Sequence, residues 1–460
     1  MNRHLYSDKN NKMKHKYFPL LIILFLIVGR VSAQSTTTLS QAINSALSNR
    51  KNIQAGKIDV QIQQLKTKGL YKKFGPQVSV EYNYNYNPVL QSSILPVGKF
   101  NPALPSDATE NIKFGTTWSQ SAGITATQPL FDATIKKQIN ESRLQEKISN
   151  AAQSQTEYDL AYEVSKAFIN IYLQQQQINS AIIDTARTWL SYQLQLDKYT
   201  AGRLLKSELN KAIINHNNTK QELVDAAIQL LENKVYLLFV TGAIAGEAND
   251  FIIDTSIFKS NSLLLVDTKF SLDSIPAFQQ LNFQKQLSLL QQETEKSRYL
   301  PLLSFKAFLG ANQYSNEFNP VESNSWFGYS YVGLNIKIPL LLGEDKNKKI
   351  EQLRLQSQQY SEQIQDKSAQ YKQDAATAIL EIDRIKNKLA TQEINLTLYH
   401  ESLKISQDRL EEGQITSLDL NNQEQELQQL IAANQNTKKQ MWLYRLSYLK
   451  ASGQLSKLWK

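Results

Sequence analysis

The chain has no cysteine, only four histidines, and just 11 prolines and 16 glycines in 460 residues. Without thiols there is no thiolate catalysis, no zinc–sulfur site and no acylated N-terminal cysteine, and their absence suits an exported protein. Of the histidines, His4 and His15 fall in the first 33 residues, and His400-Glu401-Ser402-Leu403-Lys404 lacks the second histidine of a zinc-binding helix. No phosphate-cradling glycine loop or nucleophile elbow is present. The expectation is therefore a protein that is not an enzyme and needs no cofactor or metal. Long apolar runs are scarce too: a mean hydropathy of -0.42 excludes a bundle of transmembrane helices.

The one such run, Tyr17 to Val28, follows Lys12, Lys14 and Lys16 and precedes Val31-Ser32-Ala33. A basic stretch, an apolar stretch and a small-residue exit make residues 1–33 a secretory signal peptide, with Met13 as a second candidate start. About twelve apolar residues are too few to span a bilayer comfortably. Removing this segment lowers the formal net charge from +9 to +4, with 45 basic against 41 acidic residues. The basicity is mostly targeting signal, so no nucleic-acid partner is expected.

The scarcity of breakers leaves two uninterrupted stretches, from Asp132 to Thr200 and from Glu344 to Glu412. At 1.5 Å per residue each predicts a helix on the order of 100 Å long, far beyond the usual three turns. Apolar residues form only thin stripes on them, such as Leu144, Ile148 and Ala151, then Leu160, Val164, Ala167 and Ile171. Narrow stripes on very long helices point to coiled-coil packing.

Each long helix follows a strand hairpin, so the chain reads as a duplication. The first structural repeat, 34–240, holds a helix over 38–73, a β-hairpin over 76–129 and a helical hairpin over 132–240. In the first helix Leu39, Ile43, Ala46, Leu47, Ile53, Ile58, Ile62, Leu65 and Leu70 recur at helical spacing, and Gly75-Pro76 ends it. The second repeat, 276–453, holds a helix over 276–297, a β-hairpin over 301–339 and a helical hairpin over 344–452. An equatorial linker, 241–275, joins the repeats, and 454–460 is a tail.

Val78 to Asn87 alternates apolar or aromatic with polar residues, the period of a sheet with two different faces. About ten such residues, with tyrosines at Tyr82, Tyr84 and Tyr86, suit a membrane strand. Residues 88–115, with Pro88, Pro96, Pro102 and Pro105, read as a long loop before a strand at 118–127 that stops at Gln128-Pro129. The second copy alternates from Leu303 to Ala311, where Phe308 breaks the pattern, and again from Val332 to Ile338 before Pro339. Four strands cannot close a barrel, and open edges are not tolerated in hydrocarbon, so several chains must pool their strands. Three would give twelve. The competing reading is a periplasmic or surface coiled-coil scaffold or adhesin without channel activity.

The long helices end at Tyr199-Thr200-Ala201-Gly202-Arg203 and Leu410-Glu411-Glu412-Gly413-Gln414. Gly202 and Gly413 allow the left-handed residue that closes a helix. Thr416 and Asp419 have the spacing of a capping box for the returning helix.

These segments, taken in order, resemble the TolC-like outer-membrane factors, the outer membrane efflux protein family. Leu39-Ser40-Gln41-Ala42-Ile43 is similar to its N-terminal helix signature. Gln128-Pro129-Leu130-Phe131-Asp132 is similar to its strand-to-helix junction, repeated loosely around Pro339, and the two glycine turns are similar to its periplasmic tips. The resemblance implies a mixed α+β membrane protein: a trimer with a twelve-stranded outer-membrane β-barrel continued by a twelve-helix periplasmic α-barrel. It implies the exit duct of a tripartite efflux pump or type I secretion system. The implied partners are a periplasmic adaptor, an inner-membrane transporter of RND, ABC or MFS type, and outer-membrane lipid. It also implies a gate at the tips. Asp419, six after Gly413, matches an acidic position that lines the family's constriction and binds cations. Glu208 holds the equivalent place after Gly202, with Arg203 and Lys206 near it. The family's second acidic position is Asn422 here, and its tip arginine position is Ile415.

Overall fold

A computed structural model describes residues 36–243, 248–249, 251–259, 270–321, 326–340 and 344–459. The signal peptide and the linker stretch 263–266 lie outside the described residues. In chain order the elements are α1 (Leu39–Asn49), α2 (Lys51–Tyr71), β1 (Gln77–Tyr86), β2 (Gln91–Leu95), β3 (Glu110–Phe114), β4 (Trp118–Phe131), α3 (Ala133–Thr200), α4 (Lys206–Thr241) and α5 (Ser256–Lys259). Then follow α6 (Pro276–Ser297), β5 (Leu302–Ser315), β6 (Trp326–Lys337), α7 (Glu344–Glu411) and α8 (Ser417–Ala451). Both breaker-free stretches are single helices of 68 residues, as their composition requires.

The helix expected over 38–73 is two helices. Thr38 opens α1 with a capping box closed by Gln41. Arg50 then leaves the helical region at ψ 128°. Its guanidinium donates to the carbonyl of Phe239 at 3.1 Å and lies over that ring at 4.5 Å. A cation is thereby held at the C-terminal end of α4, where the helix dipole favours it.

The chain divides into two compact units, one comprising residues up to Gln54, Thr156–Ile275 and Gln370–Lys460, the other Ala55–Gln155 and Pro276–Ala369. The first has a core of Ile43 and Ala46 from α1, Val164, Phe168 and Ile171 from α3, Leu237 and Val240 from α4, and Leu446 and Leu449 from α8. On α7, Ala375, Ala378, Ile382 and Ile385 repeat at alternating spacings of three and four, the coiled-coil period, and form a second cluster with Met441 and Tyr448. Phe258 of α5 stacks on Tyr172 at 3.9 Å and meets Trp442 edge-on, so part of the linker is tied into this core. Residues 454–460, expected to be a tail, instead include a 3₁₀ turn over Leu455–Leu458 whose two leucines are fully buried in the same core. Gly453, at φ 79°, turns the chain back so that they can reach it.

In the second unit α2 meets α3 through small and polar groups. Gln63 donates to Ser142 Oγ at 3.2 Å, Thr67 and Ser142 share a 2.8 Å hydroxyl bond, and a Cβ at Gly56 would lie 1.8 Å from Gln153 Oε1. The residues turned inward are Val60, Gln63 and Thr67, while Ile58, Ile62 and Leu65, which recur at helical spacing, are exposed. The break at Arg50 shifts the helix phase, and close approach at Gly56 fixes which face is covered.

The sheet of this unit is antiparallel throughout, in the order β1-β4-β5-β6, with β1 and β6 at its edges. Residues 88–115 are not a plain loop: β2 and β3 pair antiparallel as a separate hairpin, from Gln91↔Phe114 to Leu95↔Glu110. The other strands outrun expectation: β4 continues through Pro129 to Phe131, and β5 reaches Ser315, past the alternation that ends at Ala311.

Candidate functional site: a two-faced sheet and two helical turns

The register sorts the sheet into unlike faces. Val80 stands opposite Ile124, Ile124 opposite Leu309, Ala307 opposite Val332 and Phe305 opposite Leu334, so these side chains share one face. Val80, Leu309, Val332 and Leu334 are 79%, 66%, 75% and 67% exposed, an apolar surface too continuous for contact with water. Toward one end of this face Trp118 packs on Tyr84, Tyr86 and Phe318 with centroids 4.5 to 5.3 Å away, an aromatic group of the kind found at membrane interfaces.

The opposite face carries Ser79, Glu81, Asn83, Thr125, Ser121, Lys306 and Asn312. Phe308, which interrupts the alternation in sequence, lies on it. A Cβ at Gly123 or Gly310 would come 2.4 and 2.6 Å from the Phe308 Cζ. Its ring stacks with Tyr329 and Tyr331 at 4.8 and 5.7 Å. The ring thus covers backbone that the two glycines leave bare, which explains a large apolar residue on a polar face.

Pro129, expected to close β4, borders a register shift between Pro129 and Phe131, the kind of irregularity that tolerates a residue without an N–H. α3 starts two residues after Phe131, with Asp132 accepting from the Thr134 N–H at 2.8 Å. Pro339 follows the end of β6 at Lys337; Leu341, Leu342 and Gly343 of that junction lie outside the described residues.

The turns that end α3 and α7 are built alike. Gly202 has φ 71° and Gly413 φ 76°. Arg203 N–H reaches the Lys198 carbonyl and Gln414 N–H the Arg409 carbonyl, both at 2.8 Å, so each turn closes with the bond of a Schellman motif. The returning helices begin differently. Thr416 caps α8: its Oγ1 accepts from the Asp419 N–H at 3.2 Å and donates to the Asp419 carboxylate at 2.7 Å, while Thr416 N–H donates to the same carboxylate at 3.0 Å. These bonds hold the Asp419 carboxyl below the usual aspartate range. At α4 the capping position is Leu205, which offers no side-chain bond. Glu208 stands in the first turn of α4. Arg203, Lys206 and Glu208, available for pairing between helices, form no ion pair among the described residues. Their side chains are too exposed for such pairing to be favoured strongly.

One cluster escaped the sequence. Arg187 of α3 donates to Asp184 at 2.5 Å and also bonds Glu424 of α8, and both carboxylate side chains are under 10% exposed. On the neighbouring side of α3, Thr188 bonds Thr219 of α4 at 2.8 Å and His216 at 3.2 Å. The i,i+3 spacing of Asp184 and Arg187 was visible; their partner 237 positions away was not.

No described helix is long and apolar enough to cross a membrane. The two-faced antiparallel sheet with an exposed apolar side, joined to very long polar helices, defines the class: a membrane channel of β-sheet and coiled-coil helices. The profile of the outer membrane efflux proteins matches residues 42–243 and 271–459, and the chain belongs to that family. It is a channel protein of the cell outer membrane, with long helices in the periplasm, of the kind that forms the exit duct of efflux and secretion systems. No curated protein matches the chain. Among solved structures the fold is similar to CusC (TM-score 0.70, 16% identity, covering 90% of this chain and 91% of that one). It is also similar to VceC of Vibrio cholerae (0.69, 14%, 90% and 96%) and to the open state of MtrE of Neisseria gonorrhoeae (0.63, 14%, 90% and 88%).

Proposed function

We propose that the protein is one third of a passive trimeric exit duct, serving a tripartite efflux pump or a type I secretion system. The observation that carries this reading is a four-stranded sheet with an exposed apolar face and two unpaired edges, β1 and β6. Unpaired backbone in hydrocarbon costs several kcal/mol per group, so β1 of one copy pairs with β6 of the next until the ring closes. Three copies give twelve strands, within the range of outer-membrane barrels.

The periplasmic adaptor and inner-membrane transporter supply the energy, and the chain carries out no chemical step. The gate lies at the turns around Gly202 and Gly413, where Asp419 of three copies forms a ring of like charge. Such rings set ion selectivity. Conductance of the purified protein in planar bilayers tests the reading. Open-channel currents that rise, or lose divalent-cation block, in Asp419→Asn support the gate; unchanged conductance and block remove Asp419 from it.

A further inference from the structure

The four strands of the sheet end unlike one another at their two extremities. At the helix-joined ends, each strand is flanked by exposed apolar residues with lysine or arginine beside them. Lys72-Lys73-Phe74 precedes β1, Leu130-Phe131 closes β4 shortly before Lys136-Lys137, Arg298-Tyr299-Leu300 precedes β5, and Lys337-Ile338-Pro339-Leu340 closes β6. Phe131, Leu300, Ile338 and Leu340 are about half exposed or more. At the far ends, Tyr86, Trp118, Ser315 and Trp326 have no lysine or arginine within three described residues. Within four residues of the strand end, Lys73, Arg298 and Lys337 make three helix-joined ends basic against none of the far ends. At β4, Lys136 lies five residues beyond Phe131, as Lys113 lies five before Trp118.

Some of these cations are already used. Lys296 pairs with Glu293 at 3.1 Å, Arg298 with Glu295 at 2.9 Å, and Lys137 with Glu293 at 3.5 Å. Lys72, Lys73, Lys136, Lys337 and Lys346 form no ion pair among the described residues. Arg298, Lys337 and Lys346 line one cleft of about 320 Å³, and Asp132 is the only carboxylate among its described lining residues. Lys337 is on the polar side of the sheet by register, opposite Leu302, whereas Ile336 belongs to the apolar face.

We infer that this basic and apolar belt seats the anionic phospholipid headgroups of the periplasm-facing leaflet. The inference rests on the outer-membrane location and not on the gate. In that membrane the helix-joined strand ends are the periplasmic ends, so the belt falls at headgroup depth. Exposed leucine, isoleucine and phenylalanine enter the acyl boundary while lysine stems lie along them and place their ammonium groups among phosphates. Each lysine near an anionic surface strengthens attraction about fivefold, and the effect fades within a Debye length.

The test uses full-length protein, wild type and Lys72→Gln/Lys73→Gln/Lys136→Gln/Lys346→Gln, in nanodiscs of phosphatidylethanolamine with or without phosphatidylglycerol. Lipid retained after detergent washing is quantified, and thermal unfolding is followed. Wild type is expected to hold phosphatidylglycerol over phosphatidylethanolamine at least tenfold better than the variant, and to gain thermal stability from it. The four Lys→Arg changes keep the charge and should restore retention, which separates lost binding from misfolding. Equal retention in wild type and variant overturns the proposal. So does equal stabilisation by inorganic phosphate alone, which would mean a free-anion site. Unchanged retention with a shifted reversal potential would put the lysines in the pore and overturn it as well.

Discussion

Arg187 on α3 and Glu424 on α8 are bonded across the two repeats, with Asp184 on the other side of the same guanidinium. One planar cation satisfies two nearly buried carboxylates, a geometry that lysine cannot copy. Removing the cation alone leaves two buried charges uncompensated. Arg187→Ala is therefore predicted to destabilise the helices by about 3–5 kcal/mol. Arg187→Lys should recover only part, and Glu424→Gln, which keeps the Asp184 pair, should cost less than Arg187→Ala. Thermal unfolding followed by helical circular dichroism checks the order; an unaltered midpoint for Arg187→Ala would show that the cluster contributes nothing.

The two returning helices invite an exchange of caps. Thr416→Ala should fray the first turn of α8 by about 0.5–2 kcal/mol, and Leu205→Asp should firm α4 by a similar amount. Amide exchange at Asp419, Leu420, Glu208 and Leu209 reads both. Equal protection in each pair would show that tertiary contacts, not caps, hold these turns.

The cap is also sensitive to acid. The Asp419 carboxyl is held below its ordinary 3.8 by the Thr416 bonds, so its stabilisation is complete above 3.8 and is lost as pH falls through the lower folded value. Exchange at the α8 start should accelerate in that window in wild type and not in Asp419→Asn. Identical profiles would detach the cap from this ionisation.

Burial of the last turn gives another prediction. Leu455 is fully buried, so Leu455→Ala should cost about 2–5 kcal/mol. A chain ended at Gly453 should unfold at a markedly lower temperature than wild type. Matching midpoints would restore these residues to the status of a tail.

How far the sequence foretold all this depends on the range of the interaction concerned. The 68-residue helices were legible because they contain no proline or glycine, and β1 because its even and odd positions differ throughout. The β2–β3 hairpin was hidden: Gln91-Ser92-Ser93-Ile94-Leu95 is short and mostly polar, and prolines at 96, 102 and 105 suggested a loop. Nothing local marks Arg50 as a break, since its bond goes to Phe239, 189 positions away. Ile58, Ile62 and Leu65 marked a helix by their spacing, but spacing cannot tell a face that meets α3 from one left exposed. Of the gate candidates, the glycine turns and the Thr416–Asp419 box were legible because they are local. The Arg187–Glu424 bond was not, because only the fold brings its partners together.

The most direct test of the account is electron microscopy of the detergent-purified full-length protein, classified for symmetry. The account predicts three-fold particles in which twelve strands, four per copy, close beneath a detergent belt with β1 of each copy against β6 of the next. Monomers, or particles whose β1 and β6 edges stay open inside the belt, would contradict it.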